Sequence, residues 1–231
     1  MSQKNILILD YSTDRLETPN IKRWLPSGAQ VTGLFIDTES SFPNDLIKRD
    51  FTHVIHTGSS LSITKPAPFT EKVVVYINNA RTKGIAQMGI CYGHQLVCRA
   101  LVGKHAVRSS PKGMEAGWNT VRFDKKAMKT LNVRESEVFW QHHFDEVIEL
   151  PAGSEHLATN AHTVIQAYVN YEQRLFGTQF HPEFDREPGN EIYLRDKELL
   201  EQHNYNVDEI LKGGPSLETG KIIFGFFFEN V

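Results

Sequence analysis

The segment that most restricts how this chain can fold is Gly89-Ile90-Cys91-Tyr92-Gly93. It follows the short apolar run Ala86–Ile90 and precedes the helix-compatible run His94–Val102, which ends at Gly103. Gly-x-Cys-x-Gly at a strand-to-helix junction is the cysteine counterpart of the serine nucleophile elbow. The turn holds its central residue in a strained backbone conformation, and the positions two before and two after pack so closely that only glycine fits easily. It also sets Cys91 at the positive end of the following helix, which favours the thiolate. The Tyr92 N–H then points to where a tetrahedral oxyanion would form.

The surrounding pattern agrees with a strand–helix unit. Asn5–Leu9, Ala29–Ile36, His53–His56 and Ala86–Ile90 read as buried parallel strands. Phe69–Lys83 is long enough for a helix of about four turns and is closed by Gly84. Strands alternating with helical crossovers predict an α/β fold, a doubly wound, mainly parallel sheet with helices on both faces. Beyond residue 116 the style changes. Gly117–Phe123, Ser136–Trp140, His156–Asn160, Val164–Asn170 and Arg174–Gln179 are short, closely spaced and turn-linked, and predict added antiparallel hairpins. Glu191–Leu211 is charged and helix-compatible. Ile222–Phe228 fits a helix or a strand, and its Phe226-Phe227-Phe228 run reads as core or end packing, with a partner surface as the alternative.

Composition narrows the class of protein without reaching its chemistry. The 231 residues fit one domain at about 150 residues per domain. Twenty-five Lys+Arg against 28 Asp+Glu give a net charge of -3, which argues against nucleic-acid binding by phosphate neutralisation. No apolar run approaches the ~20 residues of a membrane helix, and the N-terminus lacks a signal-peptide pattern. Two cysteines exclude a disulfide scaffold, so the chain reads as soluble and cytoplasmic. Cys98, with no flanking glycines, reads as a small core residue beside the reactive Cys91.

A thiol nucleophile needs a base, and position must choose among ten histidines. His181 follows a strand-like run in Gln179-Phe180-His181-Pro182-Glu183, so it would project from the end of the sheet. Glu183, two residues on, could orient and charge-stabilise its imidazole, the third part of a nucleophile–base–carboxylate triad. His142 and His143 are adjacent and would point to opposite faces of a strand, so no metal site is expected.

Gly89-Ile90-Cys91-Tyr92-Gly93-His94-Gln95 and Gln179-Phe180-His181-Pro182-Glu183, 90 residues apart, together resemble the class I, triad-type glutamine amidotransferases. His56-Thr57-Gly58-Ser59-Ser60 resembles that family's oxyanion loop, usually Gly-Gly-Pro. Trp140-Gln141-His142-His143-Phe144-Asp145 resembles the Ser-His-Gly-Asp segment of GMP synthetase glutaminase domains. The resemblance covers residues 5–185 and implies a flavodoxin-like glutaminase domain, with residues 186–231 as a C-terminal helical extension.

The resemblance implies that Cys91 attacks the side-chain amide carbon of glutamine, His181 protonates the departing ammonia, and water then hydrolyses a γ-glutamyl thioester. Tyr92 and the Gly58–Ser59 loop would form the oxyanion hole. Gln95 and the backbone of His143, Phe144 and Asp145 would hold the glutamine head group. Ser59 and Ser60 depart from Gly-Gly-Pro; a positive φ there would cost serine about 1 kcal/mol or more. The Gly-Ser version is similar to stand-alone relatives that include plant γ-glutamyl peptidases, so a larger γ-glutamyl substrate is the first alternative. A catalytically idle regulatory or binding protein is the second. No phosphate loop or pyrophosphatase motif is present and no cofactor is expected. With no room for an acceptor domain after residue 185, ammonia would pass to a separate synthase subunit, or the protein would act alone as a hydrolase.

Overall fold

The structure, a computed structural model, describes residues 3–231. In chain order its elements are β1 (Asn5–Asp10), α1 (Glu17–Lys22), β2 (Gln30–Phe35), β3 (His53–His56), α2 (Thr70–Thr82), β4 (Ala86–Ile90) and α3 (Tyr92–Leu101). Then follow β5 (Val107–Ser109), β6 (Glu115–Phe123), α4 (Lys125–Leu131), β7 (Ser136–His143), β8 (Asp145–Val147), β9 (Glu155–Thr159), β10 (Ala167–Asn170) and β11 (Leu175–Thr178). The last four are α5 (Arg186–Arg195), α6 (Lys197–Gln202), α7 (Val207–Ile210) and α8 (Thr219–Asn230).

Nine strands form one sheet in the order β2-β1-β3-β4-β11-β10-β9-β6-β7. The pairings β2-β1-β3-β4-β11 are parallel, and those from β11 outward to β7 are antiparallel. Strand alternation divides the core into two layers. Ile6 and Ile8 of β1 pack with Ile21 of α1, Ala127 and Leu131 of α4, and Phe224 and Phe227 of α8. Leu7 and Leu9 face the other way, onto Val73 and Ile77 of α2 and Leu96 and Val97 of α3.

Three differences from the sequence reading bear on the site. The strand in Arg174–Gln179 forms the expected hairpin with β10, and it also pairs in parallel with β4, next to the cysteine strand. The segment after residue 185 divides in two. Helices α5–α7 build a separate apolar cluster with Trp140 and Phe184, whereas α8 is helical and sits in the main core. Finally, β5 and β8 pair in a small second sheet that the pattern of residues did not indicate.

Candidate active site

Cys91 is the hinge between β4 and α3. Its backbone has φ 48° and ψ −107°, a conformation L-residues rarely adopt, and its N–H donates to the Thr178 carbonyl at 2.8 Å. The flanking glycines answer a need for space. A Cβ on Gly89 would lie 2.6 Å from the backbone N and Cα of His94. One on Gly93 would overlap the His56 carbonyl oxygen and lie 2.5 Å from its carbon. The turn therefore presses strand, helix and β3 together with no allowance for a methyl group.

The cysteine is only 3% exposed, and this overturns one expectation. Burial, followed by the carboxylates of Glu17 and Glu183, pushes the Cys91 thiol well above its ordinary range. The Tyr92 N–H at the helix start pulls the other way and is outweighed. Desolvation of a full thiolate charge exceeds what one partial dipole returns. Burial likewise holds the His181 imidazole below its ordinary value. The resting pair is neutral thiol and neutral imidazole.

His181 sits three residues beyond β11, and because β11 lies beside β4 the two chain ends leave the sheet as neighbours. Its N–H donates to the Trp140 carbonyl at 3.0 Å, and the Trp140 ring stands edge-on to the imidazole at 4.8 Å. Glu183 Oε1 lies 2.5 Å from His181 Nδ1, which leaves Nε2 as the ring atom able to exchange a proton with a thiol. Burial pushes the fully enclosed Glu183 carboxyl up to about 7.

The Thr57–Ile63 loop closes the opposite side. Neither Gly58 nor Ser59 has a positive φ, so the feared backbone cost of serine does not arise. Gly58 is needed for proximity: a Cβ there would lie 2.5 Å from His181 Cε1 and 2.8 Å from Glu17 Oε1. Ser59 ties the loop down, its hydroxyl donating to the Tyr11 carbonyl and accepting from the Leu61 N–H.

A cavity of about 100 Å³ opens at Cys91, lined by Ser59–Ser62, Gln95, His142–Asp145 and Leu199. It brings together Gln95, His143, Phe144 and Asp145, but several of their polar groups are already engaged. Gln95 Nε2 donates to the Asp145 carbonyl and to Gln179 Oε1. The Phe144 and Asp145 carbonyls accept from the Ser110 N–H and from Gln95 and His143. The Asp145 carboxylate accepts from Ser62 Oγ, the Ile63 N–H and Ser109 Oγ, so this side chain anchors the Ser59–Ile63 loop. Phe144 remains 38% exposed, against His203.

A second cavity of about 70 Å³ lies on the His181 side and shares Ser59, Ser60 and His142 with the first. Helix α5 forms part of its wall through Ile192 and Arg195. The helix approaches closely at Gly189, where a Cβ would lie 2.7 Å from Trp140 Cδ1 and whose carbonyl accepts from Trp140 Nε1. The C-terminal helices thus brace the tryptophan that braces His181.

Two His/carboxylate clusters have ligand atoms within 4.8 Å of one another: Glu115–His143–His162 and Glu17–His181–Glu183. In the first, the Glu115 oxygens already accept from His143, Gln166, Asn119 and Asn160, which accounts for its burial without an ion. The second contains Glu17, a residue the sequence reading passed over. Its only sequence signal is an acidic residue at the start of a short helix near the end of β1. Among the described residues, no helix is long and apolar enough to cross a membrane.

Similarity to known proteins points the same way as this geometry. The family profile described as glutamine amidotransferase class-I matches residues 27–200. The chain is 33% identical over 142 residues to a glutamine-hydrolyzing GMP synthase from Clostridium novyi (strain NT), covering 61% of this chain and 26% of that protein. It is 30% identical over 146 residues to one subunit of a glutamine-hydrolyzing GMP synthase from Sulfolobus acidocaldarius, covering 63% of this chain and 74% of the relative. The chain therefore spans about a quarter of the first of these relatives and most of the second. A glutamine amidotransferase from Thermotoga maritima shares the fold, with a TM-score of 0.78 at 18% identity over 98% of this chain and 95% of that one. On the match across residues 27–200, this chain belongs to the class-I glutamine amidotransferase family.

Proposed function

We propose that this protein is a cytoplasmic Cys–His–Glu glutaminase, a single amidotransferase domain with a helical extension. The observation that carries the reading is the pairing of a strained, glycine-flanked Cys91 with the buried His181–Glu183 hydrogen bond on the neighbouring strand end. Because thiol and imidazole are both neutral at rest, the Cys91 proton moves to His181 Nε2 as sulfur attacks the side-chain amide carbon of the substrate. The oxyanion is met by the Tyr92 N–H and by an N–H from Gly58 or Ser59. Losing one such donor costs on the order of 100- to 1000-fold in turnover. His181 then protonates departing ammonia, and water attacks the thioester with the same histidine as base. Gln95, His143, Phe144 and Asp145 line the head-group end of the pocket. Likeness to one subunit of a multi-part synthase favours, as partner, a separate protein that accepts the ammonia.

A second reading is favoured by the cavity beyond His181. It adjoins the cavity at Cys91 through Ser59, Ser60 and His142 and extends past His181, where a γ-glutamyl peptide would place a leaving amine larger than ammonia. One experiment tests the common core. A glutamine-analogue diazoketone is expected to leave a covalent adduct on Cys91, and undiminished glutamine turnover by Cys91→Ala would overturn the assignment. Comparing kcat/KM for γ-glutamyl peptides with that for free glutamine then separates the two substrates.

A further inference from the structure

Behind His181 lie two carboxyl groups where a triad needs one. Glu17 reaches the site from α1, and its position is fixed by the buried Asp10 at the end of β1. Asp10 Oδ2 accepts from the Thr18 N–H at 3.1 Å and from Thr18 Oγ1 at 2.5 Å. Glu17 Oε1 comes within 3.6 Å of His181 Nδ1, the atom that Glu183 holds at 2.5 Å. Glu17 is 6% exposed and Glu183 is fully buried, and a carboxyl oxygen of each lies within 4.8 Å of the other and of the His181 ring nitrogen. Among the described residues no group donates to Glu17 Oε2 or Glu183 Oε2, although both atoms are buried.

Two ionised carboxylates cannot sit together out of water with one neutral imidazole for company. A single proton between them removes the repulsion and gives the unpartnered oxygens a hydrogen bond. We propose that Glu17 is a positioning residue of this triad: as a neutral acid it donates to Glu183, so the pair shares one negative charge behind His181. The inference rests on reading Cys91, His181 and Glu183 as the catalytic triad. Burial first, then the charge of Glu183, raises Glu17 well above the ordinary carboxyl range, in keeping with the role.

The ionisable groups facing Glu17 are Glu183 and His181 from the segment after β11, Asp10 from β1 and Cys91 from the elbow. Asp14, just before α1, acts on His181. The shared proton keeps the Glu183 oxygen directed at Nδ1 and limits the charge opposing the attacking sulfur. Loss of that proton at alkaline pH adds a second negative charge near Cys91, which opposes thiolate formation and blunts the rise of its reactivity with pH.

The test is the rate of Cys91 alkylation by iodoacetamide as a function of pH in wild type, Glu17→Gln and Glu17→Ala, with infrared difference spectra of the carboxyl region. Glutamine still donates to Glu183 and cannot ionise. Glu17→Gln is therefore expected to react within about threefold of wild type at neutral pH and to rise more steeply than wild type at alkaline pH. Glu17→Ala is expected to be slower by about 10- to 100-fold, the range for partners that orient a functional side chain. At a pH above the value of about 7 to which Glu183 is pushed, wild type should still show a protonated-carboxyl band that is absent from Glu17→Gln. A loss in Glu17→Gln as large as in Glu17→Ala, or no such band in wild type, would overturn the proposal. The infrared result stands even where Glu17→Ala does not fold. Failure of the glutaminase reading would look different: wild type would not turn over glutamine, while the alkylation and infrared patterns would persist.

Discussion

Replacing Gly58 by alanine tests whether the proposed oxyanion loop and the proposed base, His181, are in van der Waals contact. Gly58 has an ordinary backbone conformation, so alanine adds no torsional strain and the whole effect falls on the contact. The new methyl carbon would start 2.5 Å from His181 Cε1, about 0.9 Å short of the 3.4 Å at which ordinary contact begins. It would also start 2.8 Å from Glu17 Oε1. The imidazole has little freedom to yield, with Nδ1 bound to Glu183 and the backbone N–H of His181 bound to Trp140. Loop or ring must therefore retreat by roughly 1 Å, and a misplacement of that size costs on the order of 100-fold in turnover. Overpacking of this kind destabilises by about 1–3 kcal/mol, at about 2–4 °C of Tm per kcal/mol for a chain of this size. The assay is ammonia release from glutamine with a parallel thermal melt. The expected result is a fall in kcat with KM within about threefold, since the head-group residues are untouched. Ser59→Ala is the control: it loosens the same loop by removing the bonds to Tyr11 and Leu61, at about 1 kcal/mol each, without crowding His181. A Gly58→Ala protein with kcat within about twofold of wild type and an unchanged melt would refute the reasoning.

Two further outcomes follow from the same geometry. Gly93→Ala meets the His56 backbone, which cannot rotate away, so it should destabilise by about 3 kcal/mol or more and yield little soluble protein; a well-folded variant with a wild-type urea midpoint would contradict this. Glu183, pushed up to about 7 from an ordinary 4.5, must be ionised to stabilise an imidazolium, so kcat/KM should fall as pH drops through about 7. The stability effect has the opposite sense. The ionised carboxylate is disfavoured in the fold, so its penalty begins above the unfolded value and is complete above about 7. Glu183→Gln should therefore gain stability relative to wild type as pH rises across that window, and a flat or reversed difference in urea midpoints would count against it.

Much of this site could be read before folding because its key constraints are local. Gly89 and Gly93 are set by contacts within a few residues of Cys91 and with the adjacent strand, and Pro182 and Glu183 flank their histidine directly. The inner parallel strands showed as apolar runs because both of their faces are covered, as for Ile6–Leu9, whereas β2, expected to be buried, is the sheet edge and has no fully buried residue. Glu17 was hidden because it is 164 residues from His181, and an acidic residue in the first turn of a helix ordinarily reads as solvated. The three-residue strands β5 and β8 are too short for periodicity to register. The helix content of Ile222–Phe228 was open because a segment apolar on nearly every side has no period to detect; its burial in the core supplies the answer. The thiolate expectation failed for a related reason: helix position is visible in a sequence, whereas depth of burial is not.

The adjacency of β4 and β11 also dictates a schedule. The ribosome makes Cys91 first and His181 90 residues later, a gap of about 5–20 s at about 5–20 residues per second. During that interval the strand meant to flank the cysteine does not exist, and the thiol is open to water and oxidants. Docking of β11 beside β4 brings His181 to the cysteine's end of the sheet, and in the finished fold the sulfur-bearing residue is 3% exposed, so the proposed base arrives as the thiol is enclosed. For a newly made chain, damage at Cys91 is a risk of birth more than of service.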